Sequence, residues 1–264
     1  MSKNYVYHSE LIEKEWLNDS YFTLRFFCPE IAQICLPGQF VNLKMSDLYD
    51  PLLRRPMSIY KCNRQEGWIE FLLKVVGKGT LGFSTVKKGE FFGLFGPLGN
   101  GFNSNEIQSA ILIGGGIGIA PLVFLAEELA GNGISINFIQ GFRSKNEYCC
   151  GDEIMPFVNQ LLISTDDGSF GIQGDVAQVL NKLIAENSSL KNSTLLACGP
   201  NQMMKSIEKI CLSQNIKAQF SVETHMACGF GVCVGCPMPK SDGSGYYLSC
   251  IDGPVFNLGE IKFE

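Results

Sequence analysis

The chain has 264 residues, of which 45% are hydrophobic and 18% charged, so we expect two folded domains, or one large domain with an appendage, and no extensive disorder. Its net charge of −5 at pH 7, without any run of Lys or Arg, argues against binding to nucleic acid or to an anionic membrane. The N-terminus lacks the apolar segment of a signal peptide, and the most apolar stretch (110–126) is interrupted by four glycines and a proline. We therefore expect a cytoplasmic protein without a membrane span.

The first hundred residues predict short β-strands. Five segments are rich in aromatic and β-branched residues, turn signals separate them, and no long helical period appears. This pattern is typical of an antiparallel β-barrel. The predicted strands span residues 21–28, 39–45, 56–62, 68–76 and 90–96.

After a predicted linker at residues 97–105, the pattern changes to apolar strands that alternate with helices. Such alternation predicts a parallel α/β sheet. The tail from about residue 224 is rich in Gly and Cys and has little periodicity, which predicts a small cap ordered by its cysteines. The fold class is thus α+β and multidomain. The predicted strands of the sheet span residues 110–114, 134–141, 160–165, 193–198 and 218–222.

Four cysteines in the tail have the spacing of metal ligands. The C-x4-C-x2-C run followed by a distant cysteine is the plant-type [2Fe–2S] spacing, whereas structural zinc usually takes two C-x2-C pairs. Glycines between the cysteines allow tight turns that aim backbone N–H groups at sulfur. The candidate ligands are Cys228, Cys233, Cys236 and Cys250.

Two loops of the predicted sheet are candidates for a dinucleotide. "GGGIGIAP" (114–121) lies between a strand and a helix, where glycines let a pyrophosphate approach the helix N-terminus. Its match to the dinucleotide fingerprint is incomplete, because Ile119 occupies the third glycine position. "CGP" (198–200) ends a later strand, so both loops are expected to face one site. The candidate NAD residues are Gly114, Gly115, Gly116, Gly118, Cys198, Gly199 and Pro200.

Two short motifs in the barrel are candidates for a second cofactor. In "RRPMSIY" (54–60), Arg55 can pair with a phosphate and Ser58 can hydrogen-bond a ring edge. "KGTLGFS" (78–84) is a predicted Gly-Thr turn that offers N–H and hydroxyl groups to a phosphate.

In their order along the chain, these motifs resemble the ferredoxin–NADP reductase superfamily. With "TDDGSFG" (165–171) and "MACGFGVCVGC…CIDGPVF" (226–256), the chain resembles the electron-transfer subunits of NAD-linked dihydroorotate dehydrogenase over about residues 5–260. The resemblance implies an FAD-binding β-barrel (1–103), an NAD-binding α/β domain (104–223) and a [2Fe–2S] cluster domain (224–264). It assigns FAD binding to Arg55, Pro56, Met57, Ser58, Leu72, Leu73, Lys74, Gly79 and Thr80.

The resemblance also implies a function in pyrimidine (UMP) biosynthesis. Electrons from the FMN of a separate dihydroorotate dehydrogenase catalytic subunit would pass through [2Fe–2S] and FAD to NAD+, within a heterotetramer of two chains of each kind. Cys198 is expected near the nicotinamide ring, and no other catalytic residue is assigned. NAD and NADP are not distinguished, although Arg143 and Lys145 are placed for an adenosine ribose.

Three alternatives remain at this level. The first is a subunit of an NAD(P)H:ferredoxin or sulfide-type oxidoreductase, which shares the same domains. The second is a zinc-stabilised binding module without redox activity. The third is an oxidoreductase subunit held at a membrane by an anchoring partner.

Overall fold

The computed structural model describes residues 5–44 and 52–263, so Met45, at the end of one predicted strand, lies outside the described residues. The N-terminal part is a closed antiparallel barrel, which confirms the predicted architecture. Alternate side chains such as Phe22, Leu24 and Phe26 are fully buried, because successive residues of a strand point to opposite faces. The barrel strands are β1 (Tyr5–Trp16), β2 (Tyr21–Phe27), β3 (Phe40–Lys44), β4 (Arg55–Asn63), β5 (Trp68–Lys74) and β6 (Phe91–Leu98), joined in the order β1-β2-β5-β4-β3-β6.

The sequence did not predict β1. The segment is rich in charged residues, and only Ser9 and Leu11 of its described side chains are buried. It is a strand because it pairs with both β2 and β6 and so closes the barrel. The predicted Gly-Thr turn is a short helix, α2 (Lys78–Phe83), and a further short helix, α1 (Pro29–Ala32), follows β2.

The second part is a seven-stranded sheet with helices on both faces. Its five predicted strands are all present, and they are parallel. The strands are β7 (Ser109–Gly115), β8 (Ser135–Phe142), β9 (Gln160–Thr165), β10 (Ile172–Gln173), β11 (Thr194–Cys198), β12 (Ala218–Ser221) and β15 (Val255–Asn257), in the order β10-β9-β8-β7-β11-β12-β15. The helices are α3 (Ala120–Gly131), α4 (Gly151–Ile154), α5 (Val176–Glu186) and α6 (Asn201–Gln214).

One hydrophobic cluster spans the barrel and the sheet. Tyr21, Tyr60 and Leu72 of the barrel pack in the same buried cluster as Leu122 and Leu125 of α3. Burial of large apolar side chains from both parts stabilises their mutual orientation, which holds any site between them in one geometry.

The C-terminal tail is integrated with the sheet. β13 (Pro237–Pro239) and β14 (Tyr246–Leu248) form a small hairpin, whereas β15 pairs antiparallel with β12 at the sheet edge. Met238, Phe256 and Phe263 join the core on that side of the sheet. The tail thus has an anchored end and a cysteine-bearing loop. Within the described ranges, no helix is long and apolar enough to cross a membrane.

Candidate functional site

A cavity of about 250 Å³, here named the barrel cavity, lies between β4, β5 and the sheet. The end of β12 and the loop after it close the cavity, with Ser221 on the strand and Val222, Glu223 and Thr224 on the loop. The sequence pattern did not predict these residues at a site. The sequence carried no signal for them, because only the fold brings this loop to the barrel. Of the residues expected to bind FAD, Pro56, Met57, Ser58, Leu72, Leu73, Lys74 and Thr80 line this cavity.

Arg55 and Gly79 occupy a different position. They are not among the residues that line the barrel cavity in the described part of the chain. A Cβ atom on Gly79 would lie 2.5 Å from Arg55 Nε, so the guanidinium group packs directly on α2. Arg55 Nη1 also donates to the Leu53 carbonyl oxygen at 2.8 Å. A phosphate contact by Arg55 therefore stays a prediction.

A second cavity, of about 780 Å³, lies at the carboxyl ends of the parallel strands and is here named the sheet cavity. This is the edge at which open α/β sheets bind ligands. Of the residues expected to bind NAD, Gly115, Gly116, Gly118, Gly199 and Pro200 line it. Arg143 lines it too, with the acidic residues Glu147, Asp166 and Asp175, none of which was predicted at the nucleotide.

Two residues expected at the nucleotide are not among the described residues that line the sheet cavity. Gly114 packs on Ile119, since a Cβ atom on Gly114 would lie 2.5 Å from Ile119 Cγ2. Cys198 lines the barrel cavity instead. Burial raises the pKa of the Cys198 thiol, and the Glu223 carboxylate raises it further, against a hydrogen bond with Ser221. Cys198 is therefore a neutral thiol at pH 7.

The two cavities are continuous. Lys74, Val76, Ile117 and Glu223 line both of them. Lys74 Nζ lies 2.9 Å from Glu147 Oε1, so an ion pair links the barrel to the rim of the sheet cavity. Desolvation raises the pKa of Glu223, although its side chain is exposed to the cavities. A ligand in one cavity can thus contact a ligand in the other.

The cysteine loop (residues 226–236) is built from strained and tightly turned backbone. Cys228 Sγ accepts hydrogen bonds from the backbone N–H groups of Phe230, at 3.5 Å, and Cys233, at 3.4 Å. Desolvation raises the pKa of Cys228, but these N–H groups outweigh it and lower the pKa to about 6. The loop holds Gly229, Gly231 and Val234 at positive φ. N–H groups aimed at a thiolate are the environment that an iron–sulfur ligand needs.

The four candidate ligands form two pairs. Cys228 lies beside Cys233, and Cys236 lies beside Cys250, both of the latter being buried. Burial raises the pKa of Cys250 to about 12, and a hydrogen bond with Cys236 adds to this. Among the described residues, no three His, Cys, Asp or Glu side chains surround a single ion position. Two pairs suit the two irons of a [2Fe–2S] cluster, each of which takes two thiolates.

The barrel cavity borders the buried cysteine pair. Phe40 and Met226 line this cavity and also pack against Cys236 and Cys250. The sheet cavity, the barrel cavity and the cysteine loop therefore lie in series, each in contact with the next.

A closed barrel joined to a nucleotide-binding sheet, with a cysteine cap beside the cavity between them, defines an iron–sulfur oxidoreductase of the ferredoxin–NADP reductase type. The predicted set of FAD, NAD and [2Fe–2S] agrees with this class. Residues 112–209 match the oxidoreductase NAD-binding domain, and residues 223–262 match the iron-sulfur cluster binding domain of dihydroorotate dehydrogenase B.

Comparison with known proteins gives the family. The chain is 34% identical, over 100% of both chains, to the dihydroorotate dehydrogenase B (NAD(+)) electron transfer subunit of Desulforamulus reducens. It is 38% identical to that of Fusobacterium nucleatum, over 86% of this chain and 87% of the relative. The fold is similar to that of an NADH-dependent reduced ferredoxin-NADP oxidoreductase, a structure described for flavin-based electron bifurcation. The TM-score is 0.86 and the sequence identity 28%, over 100% of this chain and 92% of that chain. The chain belongs to the family of electron transfer subunits of dihydroorotate dehydrogenase B (NAD(+)).

Proposed function

We propose that this chain carries electrons from the FMN of a dihydroorotate dehydrogenase catalytic subunit to NAD+, in the order [2Fe–2S], FAD, NAD+, and so serves pyrimidine (UMP) biosynthesis. One observation carries the proposal. The sheet cavity and the barrel cavity share four lining residues, and Phe40 and Met226 of the barrel cavity pack against the buried pair, Cys236 and Cys250. The spatial order matches the order that the electrons need.

The chemistry divides between the bound groups and the protein. FAD, when bound, exchanges a hydride with the nicotinamide and single electrons with the cluster, a conversion that side chains cannot perform. Ser58 and Thr80 would bind polar atoms of FAD, and Leu72 and Leu73 would pack on the face of its ring. The glycines of the sheet cavity would let the pyrophosphate of NAD approach the backbone, and Cys198, neutral and buried, would pack near the two rings.

Several further assignments belong to the proposal. The cluster ligands are Cys228, Cys233, Cys236 and Cys250, and the domain boundaries lie near residues 103 and 223. The partner is the FMN-containing catalytic subunit, in a heterotetramer of two chains of each kind. The proposed compartment is the cytoplasm, since none of the eleven cysteines forms a disulfide, which suits a reducing environment.

The decisive experiment is co-expression of this chain with the catalytic subunit of the same source. The purified complex should contain FMN, FAD and iron, and should form NADH from NAD+ when dihydroorotate is added. The catalytic subunit alone should reduce an artificial acceptor but not NAD+. A stable complex with all cofactors and no NADH formation would refute the proposed function.

A second candidate follows from the similarity to the NADH-dependent reduced ferredoxin-NADP oxidoreductase, which covers the whole of this chain. In that case reduced ferredoxin, and not dihydroorotate, would be the electron donor for a different partner chain. The same purified chain separates the two candidates. Co-purification with the dihydroorotate-oxidising chain supports the first candidate. Co-purification with a different chain, in a complex that reduces NAD+ with reduced ferredoxin, supports the second.

A further inference from the structure

β3 carries one polar side chain between apolar neighbours. Val41 and Leu43 pack in the barrel core, whereas Phe40 lies on the outer face against Cys236 and Cys250. Asn42 also lies on the outer face, which in a barrel strand usually contacts solvent. It is nevertheless only 1% exposed, because the cysteine loop covers it.

The Asn42 amide contacts the backbone of the first candidate ligand. Asn42 Nδ2 donates a hydrogen bond to the Cys228 carbonyl oxygen at 3.1 Å. Gly229, with φ +79°, lies directly on the amide, and a Cβ atom there would overlap Asn42 Nδ2. Asn42 Oδ1 is buried and accepts no hydrogen bond from the residues that the structure describes. A buried amide oxygen without a hydrogen bond costs free energy of folding, which indicates a specific use.

A neighbouring contact holds the same loop. Phe95 on β6 is the register partner of Asn42, and its ring packs edge-on against Phe230, with centroids 5.6 Å apart. The barrel thus holds the backbone beside Cys228 at two adjacent points, and Phe230 is also one of the two N–H donors to Cys228 Sγ.

We propose that Asn42 is a positioning residue for the iron–sulfur cluster: its amide fixes the Cys228 peptide on the barrel, and with it the N–H groups that surround Cys228 Sγ. This inference rests on the proposed function, since it requires the cluster to be held by the cysteine loop. Without the donor, the Cys228 carbonyl loses its partner and the loop can shift relative to the barrel cavity. Hydrogen bonding to the ligand sulfur then changes, and with it the reduction potential of the cluster.

The test uses the full chain loaded with FAD and iron. It compares Asn42→Leu, which keeps the branching at Cγ without the donor, with the isosteric Asn42→Asp, which replaces the donor by an acceptor. Ser9→Ala, which removes a buried hydroxyl elsewhere on the barrel, is the matched control. We expect both Asn42 variants to release iron to a chelator about tenfold faster, the factor that one lost hydrogen bond to a backbone carbonyl provides. The cluster's midpoint potential and electron paramagnetic resonance spectrum should shift, while FAD content and flavin reduction by NADH remain those of the parent.

Unchanged iron release, potential and spectrum in a folded Asn42→Asp chain would overturn the inference. Loss of FAD together with iron would also overturn it, because Asn42 would then support the barrel and not the cluster. A parent chain that holds FAD and iron but forms no NADH with the catalytic subunit would refute the proposed function alone, since the comparison of iron release needs no partner. A parent chain without iron would refute both.

Discussion

Gly118 lies against the backbone of Cys198, so closely that a Cβ atom on Gly118 would overlap the Cys198 carbonyl oxygen and lie 2.7 Å from the Gly199 nitrogen. This contact joins the two loops that the sequence analysis expected to face one site. Backbone cannot move aside as a flexible side chain can, so position 118 requires glycine for space.

Gly118→Ala should separate the two loops and weaken nucleotide binding. We expect the KM for NADH in flavin reduction to rise about tenfold or more, because displacements of about 1 Å at a reacting centre have effects of up to about 100-fold. FAD content should not change. Gly131→Ala is the control, since a Cβ atom at Gly131 meets nothing within 4 Å. Equal KM values for the two variants would contradict the assignment of this loop to the nucleotide.

Cys233→Ser should separate the two half-reactions. Cys233 is the exposed candidate ligand, so the change should not disturb the core. NADH should still reduce the flavin, whereas NADH formation from dihydroorotate in the complex should fall to background, because single electrons would have no cluster to pass through. Val232→Ser is the control for perturbation of the loop, since Val232 lies on the same loop and its side chain is 73% exposed. Full coupled turnover by Cys233→Ser would show that the order of the relay is wrong.

Glu70 predicts a pH dependence of stability. Burial raises the pKa of this carboxyl, against the lowering effects of Arg25 and Lys61. Because the pKa of Glu70 is higher in the folded chain than its ordinary value of 4.5, protonation of this carboxyl stabilises the fold. This stabilisation is complete below pH 4.5 and is lost as the pH rises through the folded pKa. Glu70→Gln has no carboxyl at this position and so does not lose this stabilisation. The difference in the free energy of unfolding between Glu70→Gln and the parent should therefore increase, in favour of the variant, from pH 4.5 to pH 7.

Urea unfolding at several pH values measures this difference, with Glu90→Gln as an exposed control. A difference between Glu70→Gln and the parent that stays constant over the pH range would show that Arg25 and Lys61 fully compensate the burial.

Val234 occupies a backbone conformation that disfavours its own side chain. Its φ is +54°, and its side chain is 61% exposed, so packing does not offset the strain. Val234→Gly should relieve about 1–2 kcal/mol of left-handed strain and lose about 0.5–1 kcal/mol through the greater entropy of the unfolded chain. We therefore expect an equal or slightly higher Tm and equal or slower iron release.

The matched variant Val232→Gly changes the same residue type on the same loop, at a position that does not have positive φ. It should lower the Tm, since it adds flexibility without relieving strain. Equal effects of the two glycine substitutions on Tm and on iron release would contradict the strain at Val234.

Local patterns predicted much of this fold. Segments rich in aromatic and β-branched residues, separated by turn signals, predicted five barrel strands. The alternation of strands and helices predicted the parallel sheet. β1 was missed, since its charged sequence is stabilised by pairing with two strands distant in sequence. β15 was missed for the same reason, since its three residues form a strand only at the edge of a sheet already built.

The cysteine spacing and the glycine-rich loops could be recognised in the sequence, because a bound cluster or dinucleotide constrains residues that are close together in the chain. By itself, the sequence determined the kinds of domain, the candidate cluster ligands and the family resemblance. Tertiary structure alone decided that Glu223 and Thr224 close the barrel cavity, that Cys198 faces this cavity, and that Asn42 lies beneath Cys228. These relationships join residues up to 186 positions apart, and contacts of such separation depend on how the barrel, the sheet and the tail pack together.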